Sequence, residues 1–142
     1  MRTVNQLLDE KGREVIAIGP DAPVLEAIRR MAEHGIGALL VMEGPRLVGV
    51  VSERDYARKV ILMGRSSAET AVHEIMSRTV TTVQPTDSVD HCMRVVTEGR
   101  FRHLPVVEEG QVLGVLSIGD LVKAVIADQQ HEIAQLQQYI AG

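Results

Sequence analysis

Gly49-Val50-Val51-Ser52-Glu53-Arg54-Asp55 returns 65 residues later as Gly114-Val115-Leu116-Ser117-Ile118-Gly119-Asp120. The offset holds without a gap outward from the motif. Pro20 falls on Pro85, Val24 on Val89, Glu33 on Glu98, Val41 on Val106 and Ile61 on Ile126. Of the 47 positions from Val15 to Ile61, 14 repeat identically. A period this long duplicates one supersecondary unit, so two related sites are expected.

Each copy reads as strand, helix, strand, strand, helix. In the first, Val15–Ile18 is a short apolar strand closed by Gly19-Pro20. Asp21 is the candidate cap of a helix with Val24, Ile28 and Met31 on one face, and Gly35 stops it. Ala38–Met42 and Leu47–Val51 flank a turn at Glu43-Gly44-Pro45-Arg46, and a helix runs from near Ser52 to about Met63. The second copy offers a strand at Val80–Val83, a cap at Asp87 or Ser88, and a helix through Val89, Met93 and Val96 that ends at Gly99. Strands follow at about His103–Val107 and Val112–Leu116.

Val4, Leu7 and Leu8 mark a preceding helix, and Val72–Met76 a short one between the copies. The expected organisation is a helical segment 1–14, a repeat 15–64, a linker 65–79, a repeat 80–127 and a helical extension 128–142. One half alone leaves sheet and helix faces uncovered. The fold class expected is therefore α+β (α/β): two β-α-β-β-α repeats packed with pseudo-twofold symmetry as one module.

Composition excludes several functions. A net charge of −4 gives no basic field for nucleic acid, and no Trp, one Phe and two Tyr give no stacking platform for bases. No apolar run approaches the ~20 residues that span a bilayer, and Met1-Arg2-Thr3 leads into polar sequence rather than a signal peptide. Neither nucleic acid nor membrane is an expected partner. Cys92, the single cysteine, suits a reducing cytosol, so cytoplasmic localisation is expected. Beside Met93 on an apolar helix side, it reads as a small buried hydrophobe rather than a nucleophile. His34, His73, His91, His103 and His131 have no paired ligand spacing, so no metal is expected. No nucleophile–base–acid arrangement emerges; no catalytic residue is named and the chain is not expected to be an enzyme.

The repeated Gly-x-x-Ser-x-x-Asp lies where a strand ends and a helix begins. One reading is structural: Ser52 with Asp55, and Ser117 with Asp120, as capping boxes. The other uses the same atoms for a ligand. Unpaired helix N–H groups seat a phosphate, and a carboxylate one turn in accepts from adjacent ribose hydroxyls. The glycine would let the strand end approach the ligand closely.

The doubled motif, the strand His103-Leu104-Pro105-Val106-Val107 and the lead Ile75-Met76-Ser77 together resemble a tandem cystathionine-β-synthase (CBS) domain pair, a Bateman module. The resemblance spans about residues 15 to 127. It implies a stand-alone regulatory module that binds an adenine nucleotide (AMP, ADP, ATP or NAD) or an S-adenosyl compound in the cleft between repeats, as a ligand rather than a catalytic cofactor. By position it implies Ser52, Asp55, Ser117 and Asp120 at ribose and phosphate. Ile36, Gly37, Ala38 and Phe101 would line the adenine pocket, with Arg102 and His103 reaching phosphates.

The copies differ in their charges. Arg54, Arg58 and Lys59 accompany the first motif, whereas Gly119 and Lys123 accompany the second. The expectation is unequal affinity, with the more phosphorylated ligand at Asp55 and Arg54 among its contacts. Ile126, Ile133 and Ile140 recur by sevens in a helix that outlasts the repeat, which points to a homodimer. A protein effector is expected but not named by the sequence. The alternative function is a ligand-independent dimerisation scaffold.

Overall fold

The computed structural model describes residues 2–141. In chain order it contains α1 (Val4–Lys11), β1 (Ala17–Ile18), α2 (Val24–His34), β2 (Ala38–Glu43), β3 (Arg46–Ser52) and α3 (Glu53–Tyr56), which continues as a π-helical stretch, Ala57–Ile61. A 3-10 turn, Val72–Glu74, precedes α4 (Val89–Gly99), β4 (His103–Glu108), β5 (Gln111–Ser117) and α5 (Ile118–Ala141). The class is α+β.

The chain divides into two compact units. One takes Glu14–Thr81 with Glu109–Val112; the other takes the N-terminal residues to Arg13, Thr82–Glu108 and Leu113 onward. In the first, β1 pairs parallel to β2 and β2 antiparallel to β3, with a register shift between Val41 and Met42. Its core joins Val24, Ala27 and Met31 of α2 to Leu39, Val41 and Val51, closed by Val60, Val72 and Ile75. Val24 and Met31 are helical positions predicted by the pattern, whereas Ile28, expected with them, is only half-buried and Ala27 fills the core beside them.

The second unit builds the same scheme from β4, β5, α4 and α5, but α1 completes it. Val4, Leu7 and Leu8 are buried with Val89, Leu104 and Leu116. Main-chain bonds tie α1 in place: Val4 N–H to the Asp87 carbonyl at 2.8 Å and Asn5 N–H to that of Pro85 at 2.9 Å. The first unit has matching bonds, Val72 N–H to Ala22 and His73 N–H to Pro20, both 2.9 Å. Thr3-Val4-Asn5-Gln6-Leu7-Leu8 thus corresponds to Ala71-Val72-His73-Glu74-Ile75-Met76. The segment leading into each repeat packs in the unit of the other.

Several local expectations change. Asp21 does not cap α2; Pro23 stands at that position, and α2 starts without a side-chain cap bond. Ser88 rather than Asp87 caps α4, accepting from His91 N–H at 3.0 Å, while Asp87 accepts from Gln84 N–H at 2.7 Å. The strand expected at 80–83 shrinks to one parallel bridge between Val83 and Val106. Gly35 ends α2 in the left-handed region (φ 63°), but its counterpart Arg100, not Gly99, does so for α4 (φ 57°). Gly99 serves close approach: a Cβ there would run into the Phe101 ring.

Candidate functional site

Both copies of the motif turn directly from strand to helix, and each forms a compact station. Ser52 caps α3: its Oγ accepts from Asp55 N–H at 3.1 Å, and Asp55 Oδ2 accepts from Ser52 N–H and Oγ–H at 3.0 Å. Ser117 and Asp120 repeat this, with Asp120 N–H to Ser117 Oγ at 3.1 Å and Ser117 N–H to Asp120 Oδ2 at 2.8 Å. The capping boxes are therefore real. They do not exhaust the carboxylates, since an ionised carboxylate offers about four acceptor positions. Both aspartates stay about one-fifth open to solvent, 20% for Asp55 and 22% for Asp120.

The strand before each hairpin begins beside its station. Glu53 N–H donates to the Gly37 carbonyl at 3.0 Å, and Ile118 N–H to that of Arg102 at 2.9 Å. Ala38 lies opposite Ser52 in the β2–β3 ladder. Gly37, Ala38, Ser52 and Asp55 thus come together in one unit, and Arg102, His103, Ser117 and Asp120 in the other. Ile36 and Phe101 are half-buried and pack against the cores of their own units. Arg54 and Arg102 are exposed, and among the described residues neither makes a side-chain hydrogen bond or ion pair.

Each aspartate meets a lysine. Lys59 Nζ lies 3.3 Å from Asp55 Oδ1, and Lys11 Nζ 2.8 Å from Asp120 Oδ2. Lys11 is a neighbour of the candidate site that sequence reasoning missed, because it sits in α1, outside the repeat. Burial raises the Asp120 carboxyl pKa, but the Lys11 ammonium and the Ser117 N–H outweigh it and hold the group below its ordinary value. Burial pushes the His103 imidazole down; Asp120 pulls it up, and Lys11 and Arg102 add to the lowering. His103 is therefore predominantly neutral near pH 7.

The motif glycines do something other than admit a ligand. A Cβ on Gly49 would stand 2.8 Å from Met76 Sδ and from the Ser77 carbonyl oxygen, and one on Gly114 2.8 Å from a Leu8 methyl. Both glycines let a lead-in segment lie close against the strand. A hollow of about 300 Å³ in the first unit, edged by Asp21, Glu43, Arg46, His73 and Arg78, contains none of the expected site residues. Among the described residues no cluster of His, Cys, Asp and Glu is placed to hold a metal ion.

The CBS domain model matches residues 11–61 and again 72–127. The chain belongs to the CBS-domain family. This CBS protein is 36% identical to the CBS domain-containing protein CBSX3, mitochondrial, of Arabidopsis thaliana, over 99% of the chain and 72% of that protein. A candidate signal-transduction protein with CBS domains from Burkholderia ambifaria is 52% identical, with a TM-score of 0.85 over 90% of this chain and 96% of that one. The CBS domain pair crystallised with 5′-methylthioadenosine and S-adenosyl-L-methionine shares the fold at 23% identity, with a TM-score of 0.79 over 90% and 98%. The two CBS repeats are those carrying Ser52–Asp55 and Ser117–Asp120. No helix among the described residues is long and apolar enough to cross a membrane.

Proposed function

We propose that this CBS protein is a regulatory module that binds adenosine-containing ligands, AMP, ADP, ATP, NAD or an S-adenosyl compound, with the ribose held by Asp55 in one unit and Asp120 in the other. The observation that carries the reading is the doubled station: a partly open carboxylate fixed by a helix cap, next to a strand start and a cation. The complex of the structural relative with two adenosine compounds supports the ligand class. Binding would favour one arrangement of the protein, which a partner protein reads. A single buried cysteine is compatible with the reducing cytoplasm proposed as its location.

Hydrogen bonds from ribose hydroxyls to an ionised carboxylate contribute about 1.5–3 kcal/mol, so loss of one station weakens its ligand about tenfold to a hundredfold. Asp55→Asn and Asp120→Asn keep an oxygen for the serine N–H while removing the charge. Calorimetric titration of each variant with AMP, ATP, NAD and S-adenosylmethionine tests the reading. Affinities equal to the parent's in both variants would reduce the stations to helix caps.

The scaffold reading is favoured by a separate observation. Along α5, Ile126, Ile133, Leu136 and Ile140 are 49–82% exposed, at the spacing of a helix–helix seam. We assign that face to a second copy of the chain. Light scattering on the parent and on Ile133→Glu measures it, and a parent that is monomeric at high micromolar concentration refutes it.

A further inference from the structure

The two lysines reach their aspartates by different routes. Lys59 lies one turn on from Asp55, and its ammonium also donates to the Ile75 carbonyl at 2.9 Å. Lys11 arrives from the end of α1, and its ammonium donates to the Val115 carbonyl at 2.6 Å as well as to Asp120. There it takes the place of a main-chain bond. The counterpart of Val115 is Val50, whose carbonyl accepts from Ser77 N–H at 2.9 Å. Because α1 stays helical as it passes β5, a side chain supplies the donor instead.

The flanks of the stations also differ in sign. The Glu53 carboxylate comes within 3.8 Å of where a Cβ on Gly37 would stand. The counterparts of Glu53 and Gly37 are Ile118 and Arg102. An acid beside one strand start is thus matched by an apolar side chain and a guanidinium at the other. Arg54 and Arg58, which suggested a phosphate at Asp55, are exposed, and the Asp55 station keeps Glu53 at its edge.

We propose that the Asp120 station selects a phosphorylated adenosine ligand, and that Lys11 makes the selection by passing from the carboxylate to the phosphate as the ribose docks. The proposal rests on the adenosine reading above. Asp120 Oδ2 already accepts from Lys11 and from Ser117 N–H, which fills its two lone pairs. A ribose diol that engages both carboxylate oxygens displaces the ammonium. An uncharged nucleoside returns nothing to it, whereas a phosphate replaces one charge-assisted bond with another. A sulfonium meets like charge from Lys11 and Arg102. Selectivity is the difference between these outcomes, so the order is phosphate first, nucleoside second, sulfonium last.

The test is calorimetric titration of the full chain carrying Asp55→Asn, with AMP and with adenosine, for Lys11 intact, Lys11→Met and Lys11→Arg. With Lys11 intact, AMP binds about tenfold tighter than adenosine, the scale of one charge-assisted hydrogen bond. Lys11→Met brings the ratio close to one, and Lys11→Arg preserves it. Thermal melts of the parent and of Lys11→Met with each ligand repeat the comparison without the Asp55 change. A ratio that Lys11→Met leaves unchanged, or a larger AMP preference in Asp120→Asn than in Asp55→Asn, overturns the proposal while leaving the adenosine reading intact. A parent protein that binds neither AMP nor adenosine at millimolar concentration overturns the selection, and one that also fails to bind ATP, NAD and S-adenosylmethionine overturns both.

Discussion

Gly49→Ala perturbs the glycine most closely approached in the first unit. The new methyl would stand 2.8 Å from Met76 Sδ, 3.1 Å from Met76 Cγ and 2.8 Å from the Ser77 carbonyl oxygen. Met76 is flexible and gives way at small cost. The Ser77 peptide does not, because it is bonded to Val50 in both directions, N–H to carbonyl at 2.9 Å and carbonyl from N–H at 3.0 Å. Relief needs the lead-in segment to move by about half an ångström or more, which stretches both bonds, and overpacking of this kind costs about 1–3 kcal/mol. Gly114→Ala is the control. The three atoms nearest its methyl are all side-chain carbons of Leu8, at 2.8, 3.2 and 3.6 Å. We expect about 2–3 kcal/mol for Gly49→Ala and about 1 kcal/mol for Gly114→Ala. Since the chain has no Trp, urea unfolding followed by far-ultraviolet circular dichroism is the assay. With a slope of about 1–3 kcal/mol per molar urea, the Gly49→Ala midpoint falls by about 0.7–3 M. A Gly49→Ala variant within about 0.5 kcal/mol of the parent, or one less affected than Gly114→Ala, refutes the reasoning.

Three further outcomes are expected. Arg100→Gly stabilises by about 0.5–1 kcal/mol, because Arg100 ends α4 at φ 57° where the other repeat has Gly35; a lower unfolding midpoint for the variant contradicts this. His103 has a folded-state pKa below its ordinary 6.5, so the unfolded chain takes up that proton first. Its contribution is whole above that value and is lost as pH falls through the folded pKa. Urea midpoints measured from pH 7.5 to pH 5 should therefore decline less in His103→Gln than in the parent, and parallel curves count against it. Burial raises the Cys92 thiol to about 11, helped by the Asp87 charge, and the side chain is 0% exposed. A colorimetric disulfide reagent at pH 8 should label it only as the protein unfolds, and prompt labelling of the folded protein argues against the packing described.

Where the pattern lies within one repeat, the sequence was readable. The hairpins and the Ser–Asp stations fall where turn residues and the motif put them, and the α2 and α4 faces fall within one residue of the expected stripe, with Ala27 and Cys92 buried more fully than Ile28 and Met93, because neighbouring residues settle those choices. Val83 shows where this ends. Val80–Val83 has strand composition, yet only Val83 bridges to Val106, since strand propensity depends on the partner strand offering a register. The lead-in correspondence was hidden for another reason. Thr3–Leu8 matches Ala71–Met76 at a spacing different from the 65 residues of the repeat, so the gapless comparison passed over it. Lys11 could not be found from the motif at all: it lies 109 residues from Asp120, and only the placement of α1 brings them together. The role of Gly49 and Gly114 was misread for the same reason, because what approaches them belongs to the lead-in segments.

The position of α1 has a consequence for synthesis on the ribosome. Glu14–Thr81 is nearly a continuous stretch, so that unit has most of its partners as soon as residue 81 emerges. Val4, Leu7 and Leu8 leave the exit tunnel earlier, but Leu104 and Leu116 follow about a hundred residues later. At about 5–20 residues per second, three large apolar side chains stay uncovered for about 5–20 seconds. α1 thus waits for strands that are made long after it.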